Sequence, residues 1–410
     1  MKKLFVFVTL SLSLSHLTLR AQWDTLITNT TANFTAGYFY AADSGVVVGY
    51  DALTNTGKIF RTVDGGTTWT TPTVNSSLPK LLGCGFFSDM IGIIVGDSGK
   101  VFRSGDGGAT WQLDSIFTSE NLTSVSCPTN LSIFVAGENG GLYRSLDGGY
   151  HFTVQNSGTL LPITDLDFVY ANTGWVVGNG GYMGVTADAG ATWNYYNQPF
   201  VGFFQPRGFC YAGSTNTAYC VGEDGSAVFS LDAGLSWYNF WANTTGNINS
   251  VKFGSDYSGV MCGDNNFVYR TNNNGASWQV DSVPGADRNL NKVCWGDPAT
   301  CYIVGNSGRI LKNNTDITSV NETTSYTVEA NVFPNPVNDQ FAIQYHLEEA
   351  TSGTVSVFDM QGREILPAVN FDEPAGTHIM QNNATDLASG MYIVKIVAGT
   401  NSVSIPLIKQ

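Results

Sequence analysis

Charge is scarce in this chain. Only 13% of its 410 residues are Asp, Glu, Lys or Arg, about half the usual share, so long solvated helices are not expected. The 19 Lys and Arg are scattered and outnumbered by 33 Asp and Glu, which argues against a nucleic-acid platform. No apolar run reaches the roughly 20 residues of a membrane span; the first, Leu4 to Leu14, is too short. There is no CxxC pair, so zinc and thioredoxin-like readings have no support. HExxH, GxSxG and a glycine-rich phosphate loop are missing, and the four histidines (16, 151, 346 and 378) stand alone. What the chain does have is 46 glycines and 43% hydrophobic residues. That composition predicts a turn-rich, all-β, acidic protein with a large core.

Residues 1–22 (MKKLFVFVTLSLSLSHLTLRAQ) combine two lysines, a short apolar stretch and a polar segment ending at Ala21. They read as a signal peptide. The seven cysteines then lie in a compartment that permits disulfides, and their odd number leaves at least one unpaired. Cys210 and Cys220, and Cys294 and Cys301, flank turns and are expected on neighbouring antiparallel strands, either as disulfides or as buried single thiols.

Six segments share one pattern, S/T-x-D-x-G-x-T/S-W: TVDGGTTW, SGDGGATW, SLDGGYHF, TADAGATW, SLDAGLSW and TNNNGASW. Their third positions are Asp64, Asp106, Asp147, Asp188, Asp232 and Asn273. Their last are Trp69, Trp111, Phe152, Trp193, Trp237 and Trp278. The third positions are 42, 41, 41, 44 and 41 residues apart, a period that fits one propeller blade. Upstream of each box a β-branched run closes on glycine, and this glycine (49, 96, 137, 178, 222, 263, 305) occurs seven times. Four short strands per period make a blade, and seven blades are expected over residues 23–316. The seventh unit lacks its tryptophan, while Trp23-Asp24-Thr25 resembles the missing outer strand. Trp23 is therefore expected to close the ring and protect its edges.

The aspartate is suited to accept hydrogen bonds within its own turn, the glycine to supply a special backbone angle, and the tryptophan to pack between blades. Motif and spacing resemble the Asp-box, or BNR, repeats of sialidases, some glucanases and photosystem II assembly-factor-like propellers. The resemblance implies a structural box set away from the active face. A sialidase-like activity would need an arginine cluster. Arg61, Arg103, Arg144 and Arg270 instead share the position just before the box, with Lys312, and Arg309 is also repeat-borne. Arg207 and Arg288 are left over, too few for that role, so no catalytic residue is expected.

The turns after the seven glycines carry Asp51, Asp97, Glu138, Glu223, Asp224 and Asp264, opposite the boxes. Such a ring could attract a cation such as calcium or a basic partner; alternatively Asp, Asn and Gly are simply good turn formers. Asp165 and Asp167 share a strand face without a visible partner and read as solvated.

After Lys312 the chain turns polar and threonine-rich, a linker over residues 317–328. Residues 329–410 then show alternating strands expected to form a small Ig-like β-sandwich. Pro334 and Pro336 fix an extended lead into its first strand, and Gln361-Gly362 makes a tight turn. Pro334-Asn335-Pro336, the D-x-x-G-R turn at Asp359, Gly362 and Arg363, and L-x-S-G-x-Y at Leu387, Gly390 and Tyr392, with the ending at Lys409, look like the type A C-terminal sorting domain of the type IX secretion system. That resemblance implies a Bacteroidetes-type bacterium and export through the periplasm to the outer-membrane surface or the medium. The partners it implies are the secretion machinery and a sortase-like peptidase. The cargo would be the propeller, a binding module for an unidentified protein or glycan, with a glycan-active hydrolase or a structural adhesin as the alternatives.

Overall fold

A computed structural model of the chain describes residues 23–313 and 329–409, except positions 117, 130, 169–170, 197–204, 213–216, 233, 235, 242–243, 256, 348–349, 360–362 and 400. The expected signal peptide, the linker at 317–328 and Gly362 lie outside the described residues.

Seven antiparallel sheets follow one another along the chain. Their inner strands are Asn33–Phe39, Leu81–Phe86, Leu122–Ser126, Ile163–Phe168, Pro206–Tyr211, Ile248–Phe253 and Leu290–Asp297. The second strands are apolar on both faces; Gly92–Gly96, Ile133–Gly137 and Gly174–Gly178 are buried at every position. A strand covered on both sides needs such a run. One of the seven glycines stands at or one residue before the end of each second strand, for a steric reason. A Cβ on Gly49 would lie 2.0 Å from the Asn33 carbonyl oxygen, and one on Gly96 2.1 Å from that of Lys80.

The last sheet is completed from the start of the chain. Asp24–Leu26 pairs with Ile310–Asn313 in the register Asp24–Lys312, Thr25–Leu311 and Leu26–Ile310. The first sheet has three strands; its next segment, Thr73–Val74, runs parallel to Thr110–Ile116 on the neighbouring blade. The core is therefore a series of interblade clusters: Trp111 packs with Val46 and Val48 of the preceding blade, and Trp69 lies with Phe39 and Tyr302.

Residues 329–409 form two further sheets, one of three strands and one of four, around a core containing Phe341, Tyr345, Val394 and Leu407. The proline motif sits differently from expectation. A strand at Glu329–Phe333 precedes it, so Pro334-Asn335-Pro336 joins the first two strands instead of leading into the first. The apolar alternation that marks the start of this domain, Ala330 and Val332, begins before the prolines.

The seven cysteines are all free. Cys210 faces Tyr219 and Cys220 faces Phe209; Cys294 faces Tyr302 and Cys301 faces Trp295. Each pair sits on neighbouring strands but is offset by one residue, which points the thiols to opposite faces. Burial pushes the Cys127 and Cys294 thiols up to about 12, so they behave as small apolar side chains.

Candidate functional site

The boxes are built as clasps. In the first, the Thr62 hydroxyl donates to Asp64 Oδ1 (2.8 Å) and accepts from Gly66 N–H (2.8 Å). Asp64 in turn accepts from Thr68 N–H and Thr68 Oγ1 at 2.9 and 2.6 Å. The same bonds recur at Asp106, Asp188 and Asp232. At Asp147 a histidine takes the hydroxyl's place, with His151 Nδ1 at 2.6 Å. Hydrogen bonds from Thr68, His151 and Thr192 hold Asp64, Asp147 and Asp188 down at about 2. Asn273 shows what the position requires. Its Oδ1 accepts from Thr271 Oγ1 and Ser277 N–H, while its Nδ2 donates to Ser277 Oγ where an aspartate would accept. A neutral amide thus makes the same clasp.

The side chains just before the boxes staple neighbouring blades. Arg61 Nε donates to the Gly107 carbonyl at 2.7 Å, Arg103 Nε to Gly148 at 3.1 Å, and Lys312 Nζ to Gly65 at 3.1 Å. Each acceptor lies in the box of the next blade around the ring. Trp111 and Trp237 donate Nε1–H to Gly108 and Gly234 of their own boxes, and Phe152 packs beside the Ile93 and Val95 cluster.

A folded carboxyl held at about 2, against about 3.9 in an unfolded chain, contributes stability above the higher value. That contribution is lost as pH falls through the lower one. Acid unfolding should therefore steepen between about pH 4 and pH 2 in the wild type. Replacing Asp64, Asp147 and Asp188 together by asparagine should flatten that limb while leaving the neutral-pH melt within a few degrees. Melting temperature recorded from pH 7 to pH 2 checks this; an unchanged acid limb would refute it.

The acidic turns do not assemble into one site. Asp51 accepts from Leu53 and Thr54 N–H, which lowers it. Glu138 accepts from Asn121 and Asp264 from Asn247 and Asn249, and Glu223 pairs with Arg207 at 2.7 Å. Asp224 lies in the same turn, where its N–H donates to Asn247. Burial, reinforced by Glu138 of the next blade and opposed by Lys80, raises Asp97. Apart from Glu223 and Asp224, which share a turn, each carboxylate sits on its own blade, and among the described residues no group of three or more His, Cys, Asp or Glu is placed to hold a metal ion.

The ring axis holds what sequence reasoning missed. A channel cavity of about 520 Å³ is lined by all seven inner strands. Each strand carries a bulge or register shift near its first residues. Aligned on the residue that pairs with the closing glycine, the strands stack their side chains in layers. At the first layer Thr35, Thr123, Thr164, Asn249 and Asn291 each donate to a main-chain carbonyl of the following blade, at 2.6–2.9 Å. The next layer is Ala36, Gly83, Ser124, Asp165, Gly208, Ser250 and Lys292. Two residues deeper come Tyr38, Gly85, Ser126, Asp167, Cys210, Lys252 and Cys294; of these two layers Gly208, Ser250 and Cys210 do not border the cavity.

Asp165 and Asp167 are not solvated surface carboxylates. Asp165 is 4% exposed and meets Lys292 Nζ through both oxygens at 3.1 Å. It also accepts from Ser124 Oγ (2.9 Å) and Phe209 N–H (3.2 Å). Asp167 Oδ2 meets Lys252 Nζ at 2.8 Å. Both carboxylates come from the fourth blade and both lysines from the sixth and seventh, so two ion pairs bar the channel at two depths. Burial alone would lower the Lys252 ammonium, but Asp167, with Cys210 and Asp165 behind it, outweighs that and the net shift is upward. Burial also raises the Tyr38 phenol, with Cys127 adding and Lys252 opposing. The first three blades contribute small or aromatic walls: Gly37, Gly83, Gly85, Ser126 and Tyr38.

In residues 329–409 two of the three motifs meet on the last strand, Asn401–Lys409, and the third reaches it through Tyr392. Asn335 accepts from Ile408 N–H and donates to the Pro406 carbonyl, both at 2.8 Å. Val337 bridges Lys409, Gly390 pairs with Lys409, and Tyr392 with Leu407. Tyr392 also neighbours Asp359, its hydroxyl donates to the Ala388 carbonyl, and Leu387 is buried. Asp359 accepts from Arg363 N–H and Nε at 2.9 and 2.7 Å.

Residues 331–410 match the model of the secretion system C-terminal sorting domain. The tail is a sorting domain. It marks the chain for type IX export, to the medium or to the outer-membrane surface. No helix among the described residues is long and apolar enough to cross a membrane.

Solved propellers match the rest. A structure described as YCF48 bound to D1 peptide aligns with a TM-score of 0.61 at 20% identity, over 72% of this chain and 97% of its own. YCF48 from Cyanidioschyzon merolae gives 0.59 at 16%, over 72% and 99%. The WD40 propeller domain of Doa1 gives 0.53 at 12%, over 70% and 94%. At these identities the likeness is one of fold. No curated protein matches the chain by sequence.

Proposed function

We propose that this chain is an exported binding protein. Its sorting domain engages the type IX machinery and a sortase-like peptidase, and its propeller recognises a protein or glycan through the central channel and the box-free face. The observation that carries this reading is how the channel departs from the repeat. Boxes, closing glycines and stapling cations recur from blade to blade because the fold needs them. The channel lining instead places Ser124 and Ser126 on the third blade, Asp165 and Asp167 on the fourth, Lys252 on the sixth and Lys292 on the seventh, a variation in charge that the blade repeat does not ask for. Its volume lies within the roughly 300–1,000 Å³ of small-ligand sites. A propeller of similar fold has been seen with a bound peptide, which supports the same use here. Binding is favoured over hydrolysis because both channel carboxylates are already engaged by lysines.

Two measurements test the reading. Glycan and peptide arrays probed with the purified chain should show selective binding without product release; blank arrays of both kinds would overturn it. Deleting residues 331–410 should leave the propeller in the periplasm, with at least a tenfold loss from the medium and cell surface by immunoblot of fractions. Undiminished export would remove the address function.

A further inference from the structure

The channel's charges cancel, but its hydrogen bonding does not. An ammonium has three N–H donors. Among the described residues Lys292 has two acceptors, the two oxygens of Asp165, whereas Lys252 has one, Asp167 Oδ2. Lys252 lies deep within the ring, yet 40% of its side chain is open, because it borders the cavity. The same layer holds Tyr38, 37% exposed and electrostatically coupled to both Lys252 and Asp167, and partly buried Ser126. Across the cavity stand Gly83 and Gly85, which line it with backbone alone.

We propose that this layer is a carboxylate-binding site, in which the Lys252 ammonium and the Tyr38 and Ser126 hydroxyls donate to one carboxylate lodged against the glycine wall. The inference rests on the channel being the recognition site and names the chemistry it takes. Lys252 keeps two N–H donors that no described residue accepts, so a ligand group seated beside it is one that accepts. Asp165 and Asp167 stand close by and repel any anion in proportion to its charge, so a singly charged carboxylate, which still forms charge-assisted bonds to the ammonium, is favoured over a dianion such as phosphate. The cavity is wide enough for a sugar acid or for the last residues of a peptide, two sources of the same group.

The test is calorimetric titration of the purified full chain with glucuronate against glucose, and with triglycine against its C-terminal amide. At least one acid should bind saturably, and at least tenfold more tightly than its neutral partner. Which acid does so separates a sugar acid from a peptide terminus. Lys252→Met combined with Asp167→Asn, which removes the pair without stranding a charge, should weaken that binding at least tenfold. Should the double variant fail to fold, Tyr38→Phe with Ser126→Ala should still weaken it by about threefold or more. Equal binding of acids and neutral partners, binding unchanged in the variants, or no binding of either acid at tens of millimolar would overturn the proposal. Array hits that bind without regard to a carboxylate would overturn it while leaving the binding function standing.

Discussion

Trp23→Ala should destabilise the propeller by about 3–5 kcal/mol and lower its melting temperature by roughly 10 °C. Trp23 is 3% exposed and packs among Val260, Val268, Leu290 and Leu311, so the substitution opens a cavity between the last two blades. Its Nε1 also donates to Asp281 Oδ2 at 3.2 Å, an oxygen shared with Arg270 Nε at 3.1 Å. Asp281 is 4% exposed, and a buried carboxylate that loses a donor adds to the loss. The consequence is larger than one cavity because Trp23 anchors the strand Asp24–Leu26. Without that strand, Ile310–Asn313 becomes an open edge of the kind that pairs with other chains, so aggregation on heating should accompany the loss. Ile27→Ala is the control: one residue beyond the same strand and 75% exposed, it should shift stability by no more than about 0.5 kcal/mol. Urea unfolding of the two variants decides the matter, and a Trp23→Ala shift no larger than the control would refute ring closure as the source of stability.

Trp23 was legible in the sequence because it belongs to the repeat. A missing seventh tryptophan and a matching segment at the other end of the chain leave one economical arrangement. The blades were legible for the same reason: boxes and closing glycines are local signals, each satisfied within one turn or one hairpin. The channel was not. Lys252 lies 85 residues from Asp167, and Lys292 lies 127 from Asp165, so neither pair leaves a spacing to read. Strand alternation puts Asp165 and Asp167 on one face but does not say whether that face meets water or the ring axis. The inner-strand bulge adds one residue before the alternation settles. Aligning the seven inner strands on their closing glycines would have supplied the signal, since Asp165 and Lys292, and Asp167 and Lys252, then fall in the same columns. The acidic turns are the opposite case. A column of carboxylates is visible in the sequence, yet Asp51, Glu138, Glu223 and Asp264 each find a partner of their own.

Lys292→Met should be the costliest change in the channel, at about 3–5 kcal/mol, because it strands a buried carboxylate. Asp165 keeps Ser124 Oγ and Phe209 N–H, but neither carries a charge to offset its own. The reverse substitution, Asp165→Asn, should cost less. The Lys292 side chain is 31% open against 6% for Asp165, so water can solvate the ammonium, and the amide oxygen can still accept from the neighbouring donors. Combining Lys292→Met with Asp165→Asn should recover most of the loss, leaving the pair within about 1–2 kcal/mol of wild type and a coupling energy of about 2 kcal/mol. Urea unfolding of the four proteins measures that cycle. Additive effects would mean that the two groups do not interact across the axis, and the layered channel would lose its central strut. The cycle also separates two uses of charge on one axis. Lys292 gives two of its three donors to Asp165, so the rescued double variant should bind a carboxylate as the wild type does. Lys252, with donors to spare, should be the position at which binding is lost. A channel in which both lysines proved equally necessary for binding would be one continuous anion site, and the upper ion pair would then belong to recognition as well as to the fold.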